Sequence, residues 1–274
     1  MNRLIVTADD VGLHRGMTDG ALLAHESGIV TACSVVANGA AFKHAVERLR
    51  DYPKLSVGVH LALVEERPIA ADVESLVGAG GLLHGSYYDF VPRYFARRIR
   101  IDEVERELRA QIEALLAAGI TLEHANGHQH LHLLPRIFTL VQRLAEEYRI
   151  PYLRIVDEKK HARGLRDMSV AVLSRLGRAA RARSRCRTND RTIGVTHAGH
   201  LSTASLISVL DDVAGVNGVT ELVCHPGVAE SELHEAYDWD YEWEAETRAL
   251  CDPALREAIA ARGIELATPP SLRG

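Results

Sequence analysis

Residues 4–12 read LIVTADDVG. Leu4, Ile5, Val6 and Thr7 are apolar or β-branched in unbroken succession, which is the composition of a strand buried on both faces. Two adjacent carboxylates, Asp9 and Asp10, follow at once. By itself such a pair reads more readily as a turn or a helix cap than as chemistry. Its place is nonetheless suggestive. In parallel α/β architectures the loops and the functional groups gather at the C-terminal ends of the strands.

The same pattern recurs along the chain. Strand-like runs appear at VTACSVVAN (30–38), LSVGVHLAL (55–63), TLEHANGHQH (121–130), YLRIV (152–156), TIGVTH (192–197), VTELVCHPG (219–227) and IELAT (264–268). Helical stretches separate most of them: GMTDGALLAHESG, AFKHAVERLR, PRIFTLVQRLAEEY opening on Pro135, ASLISVLDDV, and a C-terminal helical region. The clearest is IDEVERELRAQIEALLAAG, whose Val104, Leu108, Ile112 and Leu115 form one apolar stripe. Asp102 is expected at its N-cap, with Glu105 completing a capping box. Residues 65–94 read as irregular. Eight apolar strands alternating with helices predict a parallel sheet covered on both sides, closed into a distorted (β/α) barrel as a single domain over 1–274. No GxGxxG or GxxxxGK[ST] follows the first strand, which argues against dinucleotide and P-loop chemistry.

Composition narrows the class. With 47% hydrophobic residues, 25% charged residues and a net charge of -5, the chain reads as a soluble globular protein for which nucleic acid is not the expected partner. It has no apolar run of the ~20 residues a membrane span requires and no signal-like leader, so a cytoplasmic location is expected. Cys33, Cys186, Cys224 and Cys251 form no CxxC pair and are expected to be reduced core fillers. Histidine, at 14, is the unusual count, and points to metal or acid/base chemistry.

The strand-end rule turns these residues into a test. Asp9 and Asp10 end the first strand, His60 the third, and His124, Asn126, His128 and His130 the fourth; His197 and His225 end two later ones. A lone histidine in an apolar strand is usually a hydrogen-bonded core residue, yet five strands deliver an acid or an imidazole to one rim. One carboxylate and two imidazoles make an open set for a divalent metal, and a second carboxylate beside it can take a proton from water. In extended chain His128, His130 and His132 would share a face.

At these residues the chain resembles the YdjC-like carbohydrate deacetylases, divalent-metal enzymes that remove acetyl groups from N-acetylated amino sugars. The resemblance rests on TADDVGLHRGMTDGALLAHESGIVTACSVVANG, VGVHLAL, HANGHQHLHLLP and ELVCHPG, in that order. It implies a distorted (β/α) barrel and one divalent ion, magnesium or zinc, with manganese and cobalt as alternatives. It implies Asp10, His60 and His128 as ligands, Asp9 as general base and His225 as the acid for the departing amine. His130 is expected as a supporting or helix-entry residue, and Asn38 and Asn126 either to hydrogen-bond ligands or sugar hydroxyls or to serve in turns. A homodimer is a further family expectation. Many members read HxDxHxH where this chain has HANGHQH, so Asn126 replaces an acid. That Asn, together with ETRALCDPALREAIAARGI near the C-terminus, looks like the branch associated with hopanoid biosynthesis, whose substrate would be an N-acetylglucosaminyl hopanoid.

Arg175, Arg178, Arg181, Arg183, Arg185, Arg187 and Arg191 form a basic run that reads either as a solvated helix face or as a segment resting on the inner membrane face. The rival functions are a soluble chito-oligosaccharide deacetylase, a metal-dependent phosphoesterase or oxygenase, and a metal-binding barrel without catalysis.

Overall fold

In the computed structural model, residues 2–158, 165–215 and 217–272 are described, the side chains of 165–169 excepted. Strand β1 (Asn2–Val11) is central, and Leu4, Ile5, Val6 and Ala8 on it are fully buried. On one side it pairs with β2 (Ala32–Val35), followed by β3 (Ser56–Leu61) and β4 (His124–Gly127); on the other lie β6 (Val219–Cys224) and β5 (Arg191–Ile193). A short β7 (Ile264–Leu266) joins the start of β1. Every pairing between these strands is parallel. Burial on both faces is why the strand runs are apolar without alternation.

Seven strands form where the sequence predicts eight. Residues 152–156, the expected YLRIV strand, make only isolated bridges, Ala125 with Leu153 and Tyr152 with Arg187. Side chains take over part of the ladder there. Asn189 accepts from the Ile155 N–H and donates to its carbonyl, and the Thr192 hydroxyl also donates to that carbonyl. The segment still carries the sheet round, because Ala125 N–H donates to Tyr152 and Thr192 N–H donates to Asp157. The result is a distorted parallel (β/α) barrel.

The helices are α1 (Arg15–Glu26), α2 (Phe42–Leu49), α3 (Tyr87–Phe95), α4 (Ile101–Ala117), α5 (Pro135–Glu147), α6 (Leu165–Arg181), α7 (Thr203–Ala214), α8 (Glu230–Ala236), α9 (Trp243–Leu250) and α10 (Pro253–Ala261). None among the described residues is long and apolar enough to cross a membrane. The expected cap of α4 is displaced: Arg100 occupies the cap position and Asp102 lies in the first turn, paired with Arg106. A tertiary contact does the capping work, since the Arg100 N–H donates to the Ser75 hydroxyl and Glu103 accepts from the Ser75 N–H. Glu105 ties α4 to α5 through Arg143 and makes no capping box.

Besides its apolar stripe, α4 buries a polar one. Glu103, Glu107 and Gln111, one turn apart, are fully buried. Glu107 accepts from the N–H groups of Ile69 and Ala70, and Gln111 exchanges both bonds of Ala62. The long connection after β3 is thereby pinned along the helix, and this connection delivers Glu65 to the barrel mouth. The 65–94 stretch is less irregular than its composition suggests, because α3 lies within it.

Helix α1 sits tightly on the turn after β6. A Cβ at Gly20 would lie 2.4 Å from the Gly227 Cα, two backbones in contact with no flexible side chain to yield. Gly20→Ala is expected to destabilise the chain by about 1–3 kcal/mol through overpacking, read as a lower urea midpoint at unchanged slope. An unshifted midpoint would show that this contact relaxes freely.

Candidate metal centre

Neighbouring residues in a strand point to opposite faces, so Asp9 and Asp10 should diverge. A bulge prevents this. The β1–β2 register runs Thr7 to Ala32 and Ala8 to Cys33, then Val11 to Val35, which leaves one extra residue on β1. Asp10 absorbs it with φ of 63°, a left-handed conformation that aspartate tolerates better than most residues. Both carboxylates then face His60, whose Nε2 lies 3.1 Å from Asp10 Oδ1 and whose Nδ1 lies 4.0 Å from Asp9 Oδ1.

His128 follows β4 directly, with its Nδ1 2.9 Å from the same Asp10 oxygen. The hydrogen-bond partners fix both ring orientations. Asn126 donates through Nδ2 to Asp9 and to Ser34, so its Oδ1 accepts from His60 Nδ1 at 2.6 Å, and the His60 Nε2 lone pair turns towards Asp10. Glu65, held by Gln129, takes the His128 Nε2 proton at 2.9 Å, which turns the Nδ1 lone pair towards Asp10 as well. Two nitrogen lone pairs and one carboxylate oxygen, all within 4.8 Å of one another, converge on one point. Once His128 Nδ1 is deprotonated, three acceptors so arranged repel unless a cation lies between them. Two imidazoles oriented by a carboxylate and an amide suit a divalent ion. The same demand for positive charge acts on protons: burial opposes it, but Asp10 and Glu65 raise the His128 pKa to about 10. Asp10 is held well below the usual carboxylate range, against burial, by His128 and His60.

Asp9 belongs to a second network. Arg154, fully buried, grips both of its oxygens and reaches through Nε to Glu221, which also accepts from Thr7 and Tyr152. Ser34 and Asn126 add donors to Asp9 Oδ1. Burial would raise the Asp9 pKa; Arg154 overrides it and keeps the carboxylate ionised.

His225, just after β6, closes the other side, with its Nε2 4.0 Å from Asp10 Oδ2. Its backbone N–H donates to buried Glu246, and Thr247 on α9 fastens the following Gly227. Burial lowers the His225 pKa. Tyr241 packs on its ring with centroids 5.2 Å apart, and Trp239 lies 5.7 Å from His128. Beyond them opens a groove of about 590 Å³ lined by Glu65, Glu66, Tyr87, Tyr88, Tyr237 and Trp239.

Asp9, Asp10, His60, Asn126, His128 and His225 are brought together; other expected residues are not. Asn38 lies in a turn and donates to the Arg67 carbonyl. His197 is exposed and lines a separate cleft with Glu158 and Leu206. His124 begins β4 instead of ending it and packs under Gly58, both ring nitrogens without a hydrogen-bond partner. The extended-chain stacking of His128, His130 and His132 does not form, because Gln129 and His130 have φ of 50° and 56° and coil the segment. His132 instead donates to the Arg154 carbonyl. Arg154, Ser34, Glu65, Glu246, Trp239 and Tyr241 escaped the sequence reading. A lone arginine in YLRIV and the alternating aromatics of YDWDYEW were their available signals.

Comparison with known proteins matches residues 3–261 to the family model described as YdjC-like protein. A carbohydrate deacetylase of Geobacillus stearothermophilus is 31% identical over 270 residues, covering 96% of this chain and 95% of the relative. A chitooligosaccharide deacetylase of Yersinia pestis is 32% identical, covering 96% of each. A crystal structure from Enterococcus faecalis V583, provisionally named a cellobiose-phosphate cleavage protein, superposes with a TM-score of 0.80 at 28% identity over 99% of both chains.

Two measurements probe the site. After chelation, zinc or magnesium at a hundredfold excess over Kd should raise stability by about 2.7 kcal/mol, and Asp10→Asn should abolish the rise; an equal rise in that variant would remove Asp10 from the ligand set. Burial also drives the pKa of His124 and of His132 down to about 3. Depressed imidazoles bind protons in the unfolded chain first, so stability should be intact above pH 6.5 and fall towards pH 3, by up to about 1.4 kcal/mol per pH unit for each histidine. Urea midpoints across that window should flatten in His124→Leu.

Proposed function

Because the chain belongs to the YdjC-like protein family, we propose that it is a hydrolase that removes the acetyl group from an N-acetylated amino sugar, a carbohydrate N-deacetylase. The observation that carries this reading is the pair of carboxylates on the two nitrogens of one imidazole: Asp10 with His60 Nε2 and His128 on one side, Asp9 on the other. The names of the Geobacillus and Yersinia relatives support it.

Asp10, His60 and His128 would hold a divalent ion, which when bound would supply Lewis-acid polarisation of the acetyl carbonyl and make water more acidic. Asp9, kept ionised by Arg154, accepts the proton of the attacking water. Among the described residues its Oδ2 bonds only to Arg154, which leaves a lone pair for that transfer. Ser34, Asn126 and Arg154 hold the carboxylate in one orientation, which limits the reorganisation the transfer requires. His225, across the site, passes a proton to the amine nitrogen as its bond to the acetyl carbon breaks, so that amine and acetate leave. Burial disfavours the charged form of His225, so the proton that Asp9 takes from water is the one that His225 relays to the amine, and the step consumes no further proton.

The groove beside His128 supports a glycan longer than the reacting sugar, since Tyr87, Tyr88, Tyr237 and Trp239 offer flat apolar faces and Glu65 and Glu66 offer acceptors for hydroxyls. A lipid-linked amino sugar, such as an N-acetylglucosaminyl hopanoid, is the finer reading; the resemblance at Asn126 and over 246–264 supports it. A soluble chito-oligosaccharide is the alternative.

Acetate release from diacetylchitobiose, N-acetylglucosamine and an N-acetylglucosaminyl hopanoid is the test, run with and without chelator. Release that disappears with chelator is expected, and no release from any substrate would sink the reading. Asp9→Asn should lower the rate by about 10²–10⁴-fold while keeping the stabilisation by added ion. It should also cost stability, since Arg154 loses its charged partner.

A further inference from the structure

Helix α3 and the residues that follow it carry an apolar face that nothing described in the chain covers. Tyr88 and Phe95, seven residues apart and therefore on one side of the helix, are 73% and 66% exposed, with exposed Pro92 between them. Leu82, on the approach to the helix, is 41% exposed. The opposite side packs normally, through buried Phe90 and Tyr94.

The charge beyond this stripe is basic, although exposed Asp89 lies within the helix. Residues 90–101, FVPRYFARRIRI, contain Arg93, Arg97, Arg98 and Arg100 and no acid, in a chain of net charge -5. Arg100 is taken up by Glu74 and Glu103, and Arg93 donates to the Asp89 carbonyl, which leaves its charge unpaired. Arg97 and Arg98 are exposed and form no ion pair with any described residue. The other basic run is different. Arg178 and Arg181 both bind Asp157, Arg185 pairs with Glu146, and Arg187 and Arg191 donate to the carbonyls of Leu272 and Asp212. The 175–191 arginines are largely consumed in holding the chain together.

We propose that the face formed by Tyr88, Pro92 and Phe95, with Arg97 and Arg98 just beyond them, docks on an anionic phospholipid surface. Aromatic side chains seat at the boundary between headgroups and acyl chains, and guanidinium groups meet lipid phosphates. An otherwise acidic molecule approaching an anionic bilayer is turned to present this face. A second copy of the chain fits less well, because a twofold contact sets these arginines against their own counterparts. Tyr88 also lines the groove beside His128. Docking therefore brings the groove mouth to the bilayer, where the headgroup of a glycolipid would lie. The inference rests on the surface itself and stands independently of the deacetylase reading.

The test is co-sedimentation of the full chain with phosphatidylcholine vesicles, alone or with about one-third phosphatidylglycerol. Binding to the anionic vesicles should exceed binding to the neutral ones by about tenfold and fall as salt is raised. Phe95→Ala and the double variant Arg97→Glu/Arg98→Glu should each lose most of that binding, with unchanged circular dichroism and unchanged acetate release from soluble diacetylchitobiose. Wild-type chain that ignores anionic vesicles, or variants that bind them equally, would overturn the proposal. So would a concentration-dependent dimer that Phe95→Ala dissociates, since it assigns the face to self-association. Vesicle binding that persists where no substrate releases acetate would leave this inference standing and remove the deacetylase reading.

Discussion

The top of the barrel depends on one buried guanidinium. Arg154 lies between Asp9 on β1 and Glu221 on β6, with no solvent to share its charge. Its backbone joins β4 through the Ala125 carbonyl, and its own carbonyl is held by His132. Removing one partner of such a pair strands a charge in the interior, a cost of about 3–5 kcal/mol. Arg154 therefore fixes Asp9, and from Asp9 the order passes through Asn126 and Ser34 to His60. The role of Asn126 follows from this chain of bonds. It must donate to Asp9 and accept from His60 at once, and a carboxylate at 126 could do both only if it carried a proton.

Asp10 answers to the opposite requirement. It is buried 3.1 Å and 2.9 Å from imidazole nitrogens of His60 and His128, on a backbone in a sparsely populated conformation. A buried carboxylate oxygen shared between two imidazole nitrogens is an arrangement a divalent cation completes. The two acids are thus separated by environment: one already has its permanent counter-ion, and the other is arranged to receive one. Adjacent in sequence, they differ because the bulge turns a two-faced strand into a one-faced site.

The two basic stretches make the same point at the surface. The run richer in arginine, 175–191, is largely spent on Asp157, Glu146 and backbone carbonyls, while Arg97 and Arg98 after α3 pair with no described residue and lie near exposed aromatics. Counting charges along the chain ranks these segments in the wrong order. What matters is which acids the fold brings within reach, and Asp157 reaches Arg178 and Arg181 across more than twenty positions.

The sequence alone determined the alternation of apolar strands and amphipathic helices, because burial on both faces and helical periodicity leave local marks at Leu4–Thr7 and at Val104–Leu115. It also determined that Asp10, His60, His128 and His225 meet at one rim, since strand ends converge in any parallel barrel. Only the tertiary structure decided which residues serve them. Arg154 reaches Asp9 from 145 positions away, and Glu65 reaches His128 from 63. His197 and His124, equally well placed by the strand-end rule, are left out by a separate cleft and by a strand that starts at His124 instead of ending there. Local pattern records which face of an element is buried. The partner that each buried polar group finds is set by contacts between segments distant in sequence, and no local pattern encodes those.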